Sequence, residues 1–168
     1  MTHPLVVALF PTPSAAAAAV RVLHGAGIPR EQISIISRNH DEESKFAVDM
    51  DATPGTDIED SPTAARLGEL SGYILAAIAL VLPGIGPIVA AGPLAAGLGE
   101  AAGHVAGGIA SALRGAGVAS SHAAALEKAV EEGAILLGVH TVPSEAATVR
   151  ALLEASGATQ VETANWSE

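Results

Sequence analysis

The sequence predicts an α+β protein in which two strand–helix–strand units share one antiparallel sheet. Three observations support this fold class. Short apolar segments alternate as strands do, Ala- and Leu-rich segments between them end at glycine, and this pattern nearly repeats at the two ends of the chain. Two such units predict a four-stranded antiparallel sheet with helices on one face, a ferredoxin-like arrangement.

The first unit is predicted over residues 1–38. "PLVVALF" is a strand candidate, "AAAAAVRVLHGAG" is a helix with Ser14 as its N-cap, and "QISIIS" alternates as a second strand. The second unit covers residues 119–168 as a helix ("SSHAAALEKAVEEG"), a strand ("GAILLGVHT"), a helix ("EAATVRALLEASG") and a weak edge strand ("TQVETA"). Ser14 and Gly27 are as far apart as Ser144 and Gly157, which indicates a weak internal repeat.

The connection between the two units divides into two segments. Residues 39–65 hold eight acidic side chains and one lysine, and we interpret them as a charged linker. Residues 66–118 are predicted to form an inserted apolar helical hairpin, rich in Gly and Pro. Its first helix is "RLGELSGYILAAIALVL", its turn is "PGIGP", and its second helix is residues 88–113, interrupted at Pro93.

Composition excludes several classes of function. The chain of 168 residues has no cysteine, which excludes disulfides and thiolate catalysis, and its net charge of −10 with 2% aromatic residues argues against nucleic-acid binding. Neither G-x-S-x-G nor a phosphate-binding loop occurs. We therefore expect that the protein is not an enzyme and that it has neither catalytic residues nor a cofactor. No basic stretch precedes the first apolar run, so we expect a cytoplasmic protein without a signal peptide.

The segments "VVALFPTPSAAAAAVRVLHGAGI", "LPGIGPIVAAGPLAAGLG" and "GAILLGVHT" resemble a bacterial family of small general stress proteins, induced by heat or low temperature. Members of that family have an N-terminal strand–helix–strand, a glycine-rich apolar middle and a C-terminal half with a Leu/Val-rich strand. The resemblance implies this architecture and a role in stress physiology. It implies no catalytic residues.

The apolar insertion has three interpretations. Between residues 70 and 126 only Glu100 and Arg114 are charged, and surplus apolar surface favours self-association through the hairpin. Attachment to the inner face of the membrane, with binding of lipid or a lipophilic cofactor, is the first alternative, and burial against the sheet of the same chain is the second. The predicted contact residues include three glycines that form one helical stripe; the set is Ile85, Ile88, Leu94, Gly99, Gly103 and Gly107.

The histidines offer one further hypothesis. Glu100 lies four residues before His104, so a helix would place both on one face as a weak candidate for a metal or proton site. His140 is interpreted as a residue on a sheet face rather than a ligand. The preferred function is a structural or adaptor protein whose partner is a second copy of itself, with another protein as an alternative partner. Removing residues 70–113 is then expected to leave a smaller soluble domain.

Overall fold

The computed structural model describes residues 2–38, 78–82, 85–102 and 108–167, and it confirms the α+β class. Six strands form one sheet: β1 (Thr2–Phe10), β2 (Ile33–Arg38), β3 (Ile78–Leu82), β4 (Gly86–Ala91), β5 (Ile135–His140) and β6 (Gln160–Ser167). The helices are α1 (Pro13–Gly25), α2 (Pro93–Ala102), α3 (Ile109–Gly115), α4 (Ser120–Glu131) and α5 (Ala146–Ala155), with a short 3₁₀ turn at Arg30–Gln32.

The strand order across the sheet is β3-β4-β2-β5-β1-β6, and every neighbouring pair is antiparallel. The inner strands are buried on both faces; every residue of β5 is buried, as is β1 from Leu5 to Phe10. This burial explains why their sequences are nearly continuous apolar runs. The predicted strands in "PLVVALF", "QISIIS", "GAILLGVHT" and "TQVETA" are all present.

Helices α1 and α5 cover one face of the sheet. Their small and branched side chains pack on the residues of β1, β2, β4 and β5 that point toward them, with Phe10, Val20 and Leu23 fully buried in this layer. The two helices end in the same way. Gly27 and Gly157 both have positive φ values, 91° and 93°, and the residue after each donates its N–H to a carbonyl five residues back. The two halves therefore share the helix ending that the sequence repeat indicated.

Helices α2, α3 and α4 cover the opposite face. They contribute Leu98, Leu113 and Leu126, which are fully buried against the alternate residues of β1, β2 and β5. The prediction of helices on one face was therefore wrong. The middle of the chain fills the second face, and the protein has three layers, with the sheet between two layers of helices.

The predicted helical hairpin was also wrong where it can be compared with the structure. Residues 78–82 and 86–91 are strands, and β3 pairs with β4 in antiparallel register, from Ile78 opposite Ala90 to Leu82 opposite Gly86. A short run of apolar residues does not distinguish a strand from a buried helix, and the β-branched residues here favour the strand. Among the described residues of the insertion, the helical part begins at Pro93, with α2 and then α3.

The acidic linker, residues 39–65, and the start of the predicted first helix, residues 66–77, lie outside the described residues. The expected N-cap of α1 is displaced, because Thr12 rather than Ser14 accepts a hydrogen bond from the Ala15 N–H, at 3.2 Å. Pro13 then occupies the first helical position, which suits a residue that has no N–H to donate.

Candidate functional site

The predicted contact residues of the apolar segment lie inside the chain or outside the described part of it. Ile85, Ile88 and Leu94 are buried, with exposed fractions of 7%, 0% and 1%, in the core beneath α2, α3 and α4. Gly99 lies on α2, whereas residues 103–107 fall outside the described ranges. The structure thus brings three of the six residues together, and they pack against their own chain.

The entry into α2 fixes this packing. Gly92 has a φ of 83°, and a Cβ at this position would collide with the carbonyl oxygen of Ile33. Two residues later the Leu94 N–H, one of the free donors at the start of a helix, donates to the buried hydroxyl of Ser34 at 3.0 Å. The Leu94 side chain lies over Gly138, where an added Cβ would come within 2.6 Å of Leu94 Cδ1.

The intramolecular interpretation, which ranked last in the sequence analysis, therefore describes the observed part of the insertion. The expected surplus of apolar surface is smaller than the sequence suggested, because the insertion itself enlarges the sheet that it covers. β3 and β4 add two strands beside β2, and Leu82 and Ile88 contribute to the same core as α2. Removal of residues 70–113 would strip α2 and most of α3 from this face and leave α4 as its remaining cover, so the expectation of a soluble remnant is reversed.

The outer strand of the hairpin is an edge of the sheet. β3 pairs with β4 on one side, and the residues that the structure describes place no strand on its other side. Its sequence, IALVL, has no charge, proline or glycine, the features that usually protect an edge from pairing. The opposite edge, β6, carries Gln160, Glu162 and Asn165. The two edges therefore differ in their capacity to accept another strand.

The predicted metal or proton pair is not brought together by the observed part of the chain. Glu100 lies on α2, and His104 falls in the segment 103–107 outside the described residues. Within the described ranges no group of three or more His, Cys, Asp or Glu side chains could hold a metal ion. The hypothesis for Glu100 and His104 stays a prediction.

A cluster that the sequence analysis missed lies at the end of the sheet where β1 begins. His3 Nε2 and His140 Nδ1 are 3.1 Å apart, and Trp166 contacts both rings. The indole is nearly parallel to His3, with centroids 6.3 Å apart, and meets His140 edge-on at 4.6 Å. We call His3, His140 and Trp166 the imidazole–indole cluster.

Strand pairing assembles this cluster. β1 lies between β5 and β6, and His3 is directly opposite Trp166, while Leu5 is opposite His140. His3 and Leu5 are two residues apart, so their side chains lie on the same face and bring the diagonal neighbour His140 within reach. That face is the one covered by α2, α3 and α4, and Trp166 packs against its core.

His140 is the buried member of the cluster, with 7% of the residue exposed. Burial, and then the nearby His3, lower the pKa of His140 from 6.5 to about 4, so its imidazole is neutral at neutral pH. Its Nε2 atom is buried and has no hydrogen-bond partner among the described residues. His140 lies on a face of the sheet, as the sequence indicated, and a buried polar atom without a partner is uncommon in a protein core.

Sequence separation hid this cluster. His3 and His140 are 137 residues apart, so no local motif links them. The signal that could have found them was strand register, because His140 lies in the predicted strand "GAILLGVHT", while His3 directly precedes "PLVVALF" and Trp166 follows "TQVETA" by two residues. Their exact alignment depends on how the strands pair, and a one-residue shift would place Trp166 on the other face.

The membrane alternative, in its spanning form, requires a helix that is long and apolar enough to cross the bilayer. Across the described ranges, none of the helices combines the length and apolar character needed to cross a bilayer. Comparison of the chain with protein-family models, curated proteins and solved structures gives no match. The resemblance to general stress proteins therefore stays a prediction.

Proposed function

We propose that this protein is a non-enzymatic structural or adaptor protein that self-associates through its apolar hairpin, by antiparallel pairing of β3 with β3 of a second copy. The observation that carries the proposal is the position of β3, an uncharged apolar strand that lies outermost among the described strands of the sheet, where an edge can pair with another strand. Two copies related by a twofold axis would join their sheets without exposing a new edge at the contact.

Charge supports the choice of this edge. Each copy carries a net charge of −10, so two copies repel one another over most of their surfaces. Between residues 70 and 126 only two side chains are charged, and β3 lies within that segment. Approach through β3 therefore brings together the least charged part of each molecule.

We also propose that β1-α1-β2 and β5-α5-β6 form a ferredoxin-like unit extended by the hairpin. Two features support this assignment. The four strands lie side by side in the order β2-β5-β1-β6, and α1 and α5 occupy the same face. A role in stress physiology rests on the family resemblance alone, and a cytoplasmic location rests on the sequence argument above.

The test is the mass of the native protein in detergent-free buffer, measured by sedimentation equilibrium over a hundredfold range of concentration. One chain has a mass of 16.6 kDa. We expect a mass near twice this value at high concentration, falling toward a single chain on dilution. A single chain at every concentration would contradict self-association, and a monomer that co-sediments with lipid vesicles would favour the membrane alternative.

Proline substitutions test whether β3 is the contact. Successive N–H groups of an edge strand point alternately toward the neighbouring strand and outward, so Ala79→Pro and Leu80→Pro remove one of each. The proline that removes the inward N–H disrupts pairing with β4, whereas the proline that removes the outward N–H leaves the native far-ultraviolet spectrum unchanged. We expect this second variant to be monomeric. Glu162→Pro and Thr163→Pro on the opposite edge are the matched controls. If the dimer persists in the β3 proline variants but dissociates in the β6 proline variants, the assignment of β3 as the contact is wrong.

A further inference from the structure

The imidazole–indole cluster places two potential metal ligands in contact. His3 Nε2 and His140 Nδ1 are 3.1 Å apart, a separation that suits an N–H···N hydrogen bond and also suits two nitrogen ligands of one ion. An ion about 2.0–2.1 Å from each nitrogen would have an angle of about 100° between them. This angle lies between the values for tetragonal and tetrahedral coordination.

The two rings are held in place without the ion. Both histidines lie on paired strands, and the indole of Trp166 packs against both rings, parallel to one and edge-on to the other. The backbone beside the pair is also fixed, because the Thr141 N–H donates to the carbonyl of Pro4 at 3.0 Å. Ligands held by their surroundings lose little freedom when an ion binds.

A second observation concerns the outer nitrogen of His140. This Nε2 atom is buried without a hydrogen-bond partner among the described residues. If His140 accepts a hydrogen bond from His3 through Nδ1, its own N–H lies on Nε2 and is unsatisfied. An ion bound at Nδ1 requires this same tautomer, so ion binding leaves no polar atom of His140 unsatisfied that the hydrogen bond satisfies.

Access to the pair is one-sided. His140 is almost fully buried, whereas His3 is partly exposed near the start of β1. A small ion can reach the pair from the His3 side, and Trp166 lies along the rings and limits the space for a larger ligand. Imidazole nitrogens suit zinc, copper and nickel and do not suit calcium or magnesium.

We propose that His3 and His140 bind one divalent transition-metal ion of the copper, nickel or zinc class through Nε2 and Nδ1, respectively, with water completing the coordination. With two protein ligands the ion is exchangeable, and coordination positions remain open for a further small ligand. This site is separate from β3, so it does not depend on the proposed self-association.

Copper(II) is the probe, because the chain has a single tryptophan and that tryptophan lies beside both rings. Copper(II) quenches indole fluorescence when it binds close by, and it forms the strongest complexes in the first-row divalent series. Titration of the metal-free protein with copper(II) at neutral pH should give saturable quenching at one ion per chain. Calcium(II) should give none.

Substitutions locate the binding site. We expect His3→Gln and His140→Gln each to weaken the apparent copper affinity by more than about tenfold. His3 is partly exposed, so His3→Gln provides a folded variant even if the buried substitution perturbs the core. His122→Gln is the matched control, because His122 is about half exposed, lies 3.4 Å from Glu162 and is not part of the imidazole–indole cluster. This variant should bind copper like the native protein.

The same titration can overturn the proposal. Quenching that rises linearly without saturation shows collisions with free copper and no site. Saturable quenching that survives in both His3→Gln and His140→Gln places the copper elsewhere in the chain. An unchanged far-ultraviolet spectrum for His3→Gln ensures that a loss of binding reflects a lost ligand.

Discussion

Replacement of Leu94 and Gly138 tests the packing of α2 on the sheet. Leu94 is 1% exposed, and its Cδ1 atom occupies the space above Gly138 that a Cβ there would enter at 2.6 Å. Leu94→Ala leaves a cavity and should lower the free energy of unfolding by about 2–5 kcal/mol. Gly138→Ala alone overfills the same space, and we expect a loss of about 1–3 kcal/mol.

The double variant is the informative one. Its new methyl group at position 138 moves into space that the truncated residue 94 has vacated, so the two losses should not add. We expect the double variant to be more stable than the sum of the single effects by at least about 1 kcal/mol, within the usual range for residues in contact. Urea unfolding, followed by circular dichroism, measures all three variants against the native chain.

A matched control uses the opposite layer of helices. Leu23 on α1 is fully buried, but it belongs to the core on the other face of the sheet. Leu23→Ala combined with Gly138→Ala should therefore be additive within about 0.5 kcal/mol. Additive losses for Leu94 and Gly138 as well would refute the placement of α2 over β5.

Four further predictions follow from the same structure. Gly92→Ala should destabilise the fold severely in thermal unfolding, since Gly92 combines a positive φ with a collision at Cβ, whereas Gly25→Ala, which has open space, should be neutral or gain up to about 1 kcal/mol. Glu127→Ala should cost about 1–3 kcal/mol in urea unfolding, because its carboxylate accepts the N–H of Ala110 in the first turn of α3 at 2.8 Å. The pKa of His140 is lowered from 6.5 to about 4, so the unfolded chain takes up a proton first as the pH falls. With a chelator present, the contribution of neutral His140 to the free energy of unfolding is complete above pH 6.5. It should decline by up to about 3 kcal/mol by pH 4, and His140→Gln should remove this pH dependence. Deleting residues 70–113 should give an unfolded or aggregated chain by circular dichroism and light scattering, because one face of the sheet loses α2 and most of α3 and keeps only α4; a folded monomer would show that α4 alone covers this face well enough.

The terminal units were predictable because their signals are local. Alternation in "QISIIS" and glycine at positions 27 and 157 fix where strands and helices begin and end, and the structure has both strands and both helix endings. The two units also pair in one antiparallel sheet. These features need no information about distant residues.

The middle segment was harder because its apolar residues satisfy two patterns. Residues 78–82 suit a helix in sequence spacing, and their pairing with β4 decides the strand. The predicted second helix, residues 88–113, is interrupted at Pro93. In the structure, Pro93 instead begins α2, directly after the positive-φ turn at Gly92. Ile88 and Leu94, predicted as contact residues of the hairpin, are buried within the chain, because the sequence does not state which surface covers an apolar residue.

The imidazole–indole cluster depended on pairing across the whole chain. His3 and Trp166 are paired on β1 and β6, and their sequence neighbours carry no motif that links them. By contrast, the histidine chosen from local spacing, His104, lies outside the described residues. Local spacing finds ligands on one helix, whereas ligands on separate strands appear only once the register is known.

Hydrogen exchange of the native protein tests most directly whether the apolar middle segment belongs to the core. β4 lies between β3 and β2 in one continuous sheet, and Val89, Ala90 and Ala91 are fully buried. We expect the paired amides of β4 to exchange as slowly as those of β2 and β5, because all three strands open in the same unfolding event. Fast exchange throughout β4, beside a protected β2, would contradict the integration of the segment into the sheet.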